Sequence, residues 1–214
     1  MREYVLRIVR DGIYYACALA LAGVAASNFL TVWAGIPFYV LGAFCLYFFR
    51  DPERATPAGE VLVAPADGKI VSIRQLEDDL TRISIFLNVF NVHVNRAPGT
   101  GRITKIEYRR GQFRVASQEE ASAQNEQNVF TLDCGGAKVV FSQIAGLIAR
   151  RIVCYKQPGD EVSAGERIGL IKFGSRMDVF FGPEWEIRAH SGEKVKAGVS
   201  VLATRRRPAA GVET

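Results

Sequence analysis

The sequence predicts a mainly β domain preceded by an N-terminal α-helical hairpin, and three observations carry that reading. From Gly12 to Phe49 the chain runs for 38 residues without a formal charge. Beyond about residue 55, short apolar runs alternate with turns rich in Gly and Pro, and no amphipathic helical period is sustained. Within that second part, Gly159-Asp160-Glu161-Val162-Ser163-Ala164-Gly165 is echoed 33 residues later by Gly192-Glu193-Lys194-Val195-Lys196-Ala197-Gly198. Residues 1–54 are expected to form one unit and residues 55–214 the other.

The uncharged run includes Leu19, Val24, Phe29, Trp33, Phe38, Leu41 and Phe48. As a single helix it would be about 57 Å long, nearly twice the ~30 Å hydrocarbon core of a bilayer, so two shorter spans fit better. Ser27-Asn28 and Gly35-Ile36-Pro37 supply the break between them. Arg2, Arg7 and Arg10 precede the run and Arg50 and Arg54 follow it. That excess of positive charge places both ends, and the domain beyond, on the cytoplasmic side of the cell membrane. A secretory signal cut near Val24-Ala25-Ala26-Ser27 is the competing reading, and the second apolar run would remain after such a cut.

The expected strands are Glu60 to Ala64, Lys69 to Arg74, Arg82 to Phe90, Gly101 to Arg109, Val129 to Asp133, Ala137 to Gln143, Ala149 to Lys156, Arg167 to Phe173 and Met177 to Phe181. Residues 111–128 turn polar and read as a long surface loop. In each repeat, Gly-x-x-Val-x-x-Gly suits a tight turn, a short strand and a second turn. The pattern resembles a lipoyl or biotinyl type β-sandwich, the barrel-sandwich, with Val61 to Ile73 as another of its hairpins. A carrier of that type needs an exposed Lys at a hairpin tip; Lys172 is the nearest candidate, but it lacks the usual Met-Lys-Met setting.

Cys17, Cys45, Cys134 and Cys154 show no zinc or redox spacing, which points to reduced structural thiols and to no metal. A net charge of +5 favours anionic surfaces. With an apolar anchor present, anionic lipid is a better partner than nucleic acid, for which no motif accompanies Arg205-Arg206-Arg207, read as a solvated tail.

Gly174-Ser175 is the pair with the most chemistry in it. Such a dipeptide is ordinarily a turn, but its peptide bond is also open to attack by the Ser hydroxyl, with the Gly carbonyl unhindered. Its company is informative. Phe48-Phe49-Arg50-Asp51-Pro52, Ala64-Pro65-Ala66-Asp67-Gly68, Phe86 to Pro98 around His93, Gln143-Ile144-Ala145-Gly146 with Ala149 to Val153, and Arg167 to Val179 occur in that order. Together they resemble the short-form, membrane-anchored phosphatidylserine decarboxylase proenzymes.

The resemblance implies self-cleavage between Gly174 and Ser175, leaving chains 1–174 and 175–214 associated as a heterodimer, open to higher homo-oligomers. It implies that Ser175 becomes a covalent pyruvoyl group, the only cofactor. Phosphatidylserine would condense with it as a Schiff base and leave as phosphatidylethanolamine. His93 is the candidate base, one of two histidines and suited to proton transfer near neutral pH; without the resemblance it reads as a core histidine. Asp67 would orient and stabilise its imidazolium, or act only as a turn former. Where longer bacterial members carry a second histidine, this chain has Arg96. Arg96, Arg150 and Arg151 are candidates for phosphate contacts or for internal ion pairs. His190, beside a repeat turn, reads as a surface residue. The rival functions are a pyruvoyl decarboxylase of a soluble amino acid and a membrane-anchored adaptor without activity.

Overall fold

The computed structural model describes residues 6–114, 121–147, 151–172 and 175–206. The chain divides into two compact units, one from the segment ending at Glu53 together with Phe90–His93, the other from Arg54–Val89 and the chain from Val94 onward.

In the first unit, β1 (Leu6–Ile8) pairs antiparallel with β2 (Arg50–Pro52), tying together the two ends of a helical pair. Helix α1 (Arg10–Phe29) and helix α2 (Ile36–Phe48) make up that pair. They approach closely at Gly23, where a Cβ would lie 2.7 Å from the Tyr39 ring. Helix α1 does not break at Ser27-Asn28: the Asn28 amide donates back to the Val24 carbonyl at 2.9 Å, a bond that a helix accommodates. The break comes at Leu30-Thr31 and a 3-10 turn over Val32–Gly35. Pro37 then sits in the first turn of α2, where its missing N–H costs nothing. Phe29 and Trp33 are 87% and 74% exposed, so this is not the buried helix of a soluble core. At 20 residues, about 30 Å, α1 is the one helix among the described residues long and apolar enough to cross a bilayer. The expected second helix is present and is the shorter of the two: α2 has 13 residues, and with the 3-10 turn before it the apolar stretch runs over Val32–Phe48.

The second unit is mainly β. Its strands are β3 (Val61–Val63), β4 (Gly68–Gln75), β5 (Thr81–Leu87), β6 (Val94–Arg96), β7 (Gly101–Arg109), β8 (Gln127–Cys134), β9 (Ala137–Ala145) and β10 (Ile152–Cys154), then β11 (Glu161–Val162), β12 (Arg167–Ile171), β13 (Ser175–Phe181), β14 (Trp185–Ile187), β15 (Lys194–Val195) and β16 (Val201–Arg205). A short helix, α3 (Ala121–Gln124), precedes β8. Eight strands form a sheet in the order β11-β7-β8-β9-β13-β5-β4-β15, flanked by three-stranded sheets β10-β12-β6 and β14-β16-β3. Alternation along each strand sends Ile83, Ile85, Leu87, Phe130, Leu132, Val139, Phe141, Met177, Val179 and Phe181 into one core. Phe130 and Phe141, paired across β8 and β9, stack at 4.7 Å.

The 33-residue repeat extends further than its glycine turns. Each turn carries a two-residue strand, β11 or β15, between glycines of positive φ: Gly159 and Gly165 in one, Gly192 and Gly198 in the other. These strands close the two edges of the large sheet, β11 pairing with β7 through Val162↔Gly101 and β15 with β4 through Val195↔Gly68. The partners repeat at the same offset, Val61 to Ile70 being matched by Val94 to Ile103 with Ala-Pro and Gly at equivalent positions. The two Ala-Pro turns clasp each other reciprocally: the Val63 N–H donates to Pro98 O at 2.7 Å and the Arg96 N–H to Pro65 O at 2.8 Å. The β unit is thus built around two interlocked copies of one motif.

The polar stretch over residues 111–128 is not a free surface loop where it is described. The buried Asn125 amide donates to the carbonyls of Arg114 and Ala145, and its oxygen accepts the Arg114 N–H. Arg205 likewise leaves the expected solvated tail: it lies on β16, donates to the Cys134 carbonyl at 2.9 Å and stands over the Trp185 ring.

Candidate active site

Strand β13 begins at Ser175. Its face bearing Ser175, Met177 and Val179 points into the core, and Ser175 is paired with Leu87 on β5 and Ala145 on β9. Its hydroxyl is fully buried and has no hydrogen-bond partner among the described residues. A buried hydroxyl without a partner is destabilising, so its retention calls for a chemical reason. Gly174, the other half of the expected scissile bond, lies outside the described residues, as do Phe173, Arg150, Arg207 and residues 115–120.

The opposite face of β13 is also buried and is charged. Arg176 donates from Nε to Asp178 at 2.6 Å and from a terminal nitrogen to Ser84 Oγ at 2.6 Å. Ser122 on α3 donates to the second oxygen of Asp178 at 2.5 Å, so the segment before β8 is pinned over the strand by the need of a buried carboxylate for donors. This network fixes the strand that Ser175 begins. Neither Arg176 nor Asp178 is singled out by the sequence, since Arg-x-Asp in a strand reads as an exposed ion pair.

Behind Ser175 lies a second polar group. Gln143, two residues before Ala145 on the same face of β9, donates at 2.9 Å to the side-chain oxygen of Asn95 on β6. The Asn128 amide in turn donates to Gln143 at 3.5 Å. Asn95 and Gln143 are fully buried, and the Asn95 amide nitrogen has no partner among the described residues. Opposite Asn95 stands Gly169; a Cβ there would meet the Gln143 amide at 3.0 Å and the Val153 carbonyl at 2.1 Å. Asparagine and glutamine in apolar strands give no catalytic signal on their own, which is why Asn95 and Gln143 enter the sequence reading only as members of motifs and not as candidate site residues.

Asp67 is buried in the turn before β4. Its carboxylate is gripped by both terminal nitrogens of Arg54 and accepts the Ala197 N–H at 2.8 Å, while Arg54 also donates to the Ala197 carbonyl. The equivalent turn of the other copy carries Thr100, whose hydroxyl accepts the Ala164 N–H at 3.0 Å. Capping the repeat turn therefore needs only a hydroxyl, and the carboxylate with its guanidinium partner is an addition.

In the first unit, His93 is buried, and its ring lies 4.1 Å from that of Phe48. Nδ1 contacts the Asn91 carbonyl at 2.9 Å. A carbonyl only accepts, so Nδ1 carries the hydrogen in this contact. Arg96 is buried and donates to the Gly165 carbonyl at 2.9 Å, an internal role at a repeat turn. Beside that turn, burial pushes the Glu166 carboxyl upward, but bonds from Lys156 and the Ser163 N–H outweigh it and hold the group below the usual carboxylate range. Lys172 is buried, not exposed as a carrier lysine would be, and His190 is exposed as expected.

Fold and site together define a class: a mainly β protein with an apolar N-terminal helix long enough to cross a bilayer and, at the head of a central strand, a buried serine without a hydrogen-bond partner among the described residues. Comparison with known proteins is more specific. The family described as Phosphatidylserine decarboxylase matches residues 41–203. The chain is 58% identical over 200 residues to a phosphatidylserine decarboxylase proenzyme of Solibacter usitatus, covering 94% of this chain and 98% of the relative. Proenzymes of that name from Magnetococcus marinus and Syntrophus aciditrophicus are 47% and 46% identical over 206 residues, with more than nine-tenths of each chain covered. The chain belongs to the phosphatidylserine decarboxylase family.

Proposed function

We propose that the chain is made as a proenzyme that cuts itself between Gly174 and Ser175 and then decarboxylates phosphatidylserine to phosphatidylethanolamine. The observation that carries this reading is the Ser175 hydroxyl, buried and unpartnered within the family match. As Oγ attacks the Gly174 carbonyl carbon, the peptide C–N bond breaks, a C–O bond forms and the freed nitrogen takes up a proton. β-Elimination then breaks the Cβ–Oγ bond, leaving Gly174 as a carboxylate and residue 175 as dehydroalanine. Tautomerisation to an imine and hydrolysis by water release ammonia and leave a pyruvoyl amino terminus. Ser175 fits this fate because no hydrogen bond has to be given up by its oxygen. A pyruvoyl carbonyl supplies the electron sink that loss of carbon dioxide from an amino acid requires.

His93 is assigned as the base, taking the Ser175 proton at Nε2, with its tautomer set by the Asn91 carbonyl. Asp67, fixed by Arg54 and the Ala197 N–H, is assigned the negative charge that stabilises the imidazolium. The apolar helix α1 and its flanking arginines support anchoring in the cell membrane with the β unit on the cytoplasmic side, where a lipid substrate arrives in two dimensions. The two interlocked copies support reading the β unit as a lipoyl-like barrel-sandwich.

Intact mass under denaturing conditions tests the reading. Fragments of 174 and 40 residues from the 214-residue chain are expected, the smaller one lacking ammonia and blocked to Edman degradation. Ser175→Ala should remain whole and should form no phosphatidylethanolamine in vesicles containing phosphatidylserine. A folded, unsubstituted chain that stays uncut would overturn the proenzyme reading, and turnover of free serine at the lipid's rate would overturn the substrate.

A further inference from the structure

Asn95 has an amide N–H with nothing to bond, in a place where the fold does not need a polar residue. In the other copy of the repeat the equivalent residue is Leu62, which is equally buried and packs in the core. Leu62 faces Ala203, whereas Asn95 faces Gly169, and the methyl missing at Gly169 leaves the room that the Gln143 amide fills. Gln143 holds the Asn95 oxygen, and Asn128 holds the Gln143 oxygen. The direction of this relay is therefore set from its far end, and it leaves the Asn95 nitrogen as the donor with no acceptor. Gln143 lies one alternation step from Ala145, the residue paired with Ser175. Two unsatisfied buried polar atoms, one donor and one nucleophile, thus belong to the same patch of the core.

We infer that Asn95 is a catalytic residue of self-cleavage: its amide N–H donates to the oxyanion that forms on the Gly174 carbonyl oxygen when Ser175 attacks. Gln143 and Asn128 are positioning residues that hold the amide in this sense. This rests on the proenzyme reading above. In the resting chain the donor is unsatisfied, and it gains its bond only as negative charge develops, the arrangement that favours a transition state over a ground state. Removing one such donor typically slows a reaction by about 100- to 1,000-fold.

The experiment follows conversion of the freshly made full-length chain, in detergent, into its two fragments by denaturing electrophoresis. Asn95→Leu keeps the branched shape of the side chain but removes the acceptor of the Gln143 amide, and is expected to fold with a melting temperature several degrees lower while cleaving about 100-fold more slowly. Hydroxylamine, which splits an ester but not a peptide, should not break the uncut N95L chain, because the ester itself is not reached. Cleavage of N95L at the unsubstituted rate overturns the assignment, and so does an uncut chain that hydroxylamine splits readily, since Asn95 would then act after the ester. Should N95L fail to fold, Asn95→Asp answers alone. Its neutral acid regains an O–H donor, so its rate relative to the unsubstituted chain should rise as pH falls from about 8 to about 5, whereas a pH-independent ratio overturns the proposal. If the unsubstituted chain itself stays whole, the proenzyme reading has failed, and the N95L comparison is not reached.

Discussion

Asp67 shows how a residue's structural and chemical duties can be separated. Thr100 satisfies the equivalent backbone N–H with a hydroxyl, so a threonine at 67 would still cap its turn, but it would strand the guanidinium of Arg54. Leaving one partner of a buried ion pair alone costs about 3–5 kcal/mol. Asp67→Thr should therefore lower the melting temperature, and the double variant R54M/D67T should recover most of that loss. Both should still cut themselves at least about tenfold more slowly if the carboxylate supports a proton transfer. A double variant that cuts at the unsubstituted rate would reduce Asp67 to a turn residue. Cys134 offers a second residue-scale check. Burial, with Asp133 nearby, pushes its thiol up to about 12, well above its ordinary value of 9.0. The unfolded thiol loses its proton first, so folding stability on this account is intact below about pH 9 and falls as pH rises from there to about 12. Alkylation of the folded chain at pH 9 should label exposed Cys154 and spare Cys134. The sequence marks Ser175, His93 and Asp67 as candidates because their side chains carry suitable chemistry within ordered motifs. Asn95 shares a motif with His93 but its side-chain type gives no such signal, although aligning the two copies sets it against Leu62 and marks it as the odd residue.

At the scale of elements, the repeat turns and the long strands were readable and two of the short strands were not. Strand β7 lies where its alternation puts it, over Gly101–Arg109, and the short β3 and β10 fall inside the expected Glu60 to Ala64 and Ala149 to Lys156, whereas β6 and β14 have three residues each, too few for any period to register. They are strands because neighbours distant in sequence pair with them. The glycine spacing of the repeat was legible because positive φ restricts the choice of residue. Gly165 has φ +78°, and a Cβ there would meet the Thr56 hydroxyl at 2.1 Å. Thr56 can rotate away, but the backbone cannot, so Gly165→Ala should cost about 1–2 kcal/mol, read as a fall of several degrees in melting temperature. An unchanged melting temperature would show that the turn relaxes to another conformation. The helix break was displaced from its expected position because a side chain that can end a helix can also bond back into it, as Asn28 does.

On the scale of the whole molecule, the proposed cut falls within an interwoven structure. Of the strands after residue 174, β13 lies between β5 and β9, β15 pairs with β4, and β16 pairs with β3. The 40-residue fragment would therefore be held by strands of the larger one on both faces of the core. The two pieces should co-elute in detergent and separate only in denaturant; free exchange of labelled small fragment under native conditions would contradict this. None of these pairings was visible in sequence, where strand order across long separations leaves no local trace.

The weave also dates the cut. Ser175 acquires its surroundings only when β13 has entered between β5 and β9, in a sheet whose strand β4 is itself completed by β15. A truncated or misfolded copy lacks that setting and would stay whole, with no electrophile to expose to the cell. On the proposed chemistry, activation certifies its own prerequisite: the enzyme switches itself on as a receipt for having folded to the end.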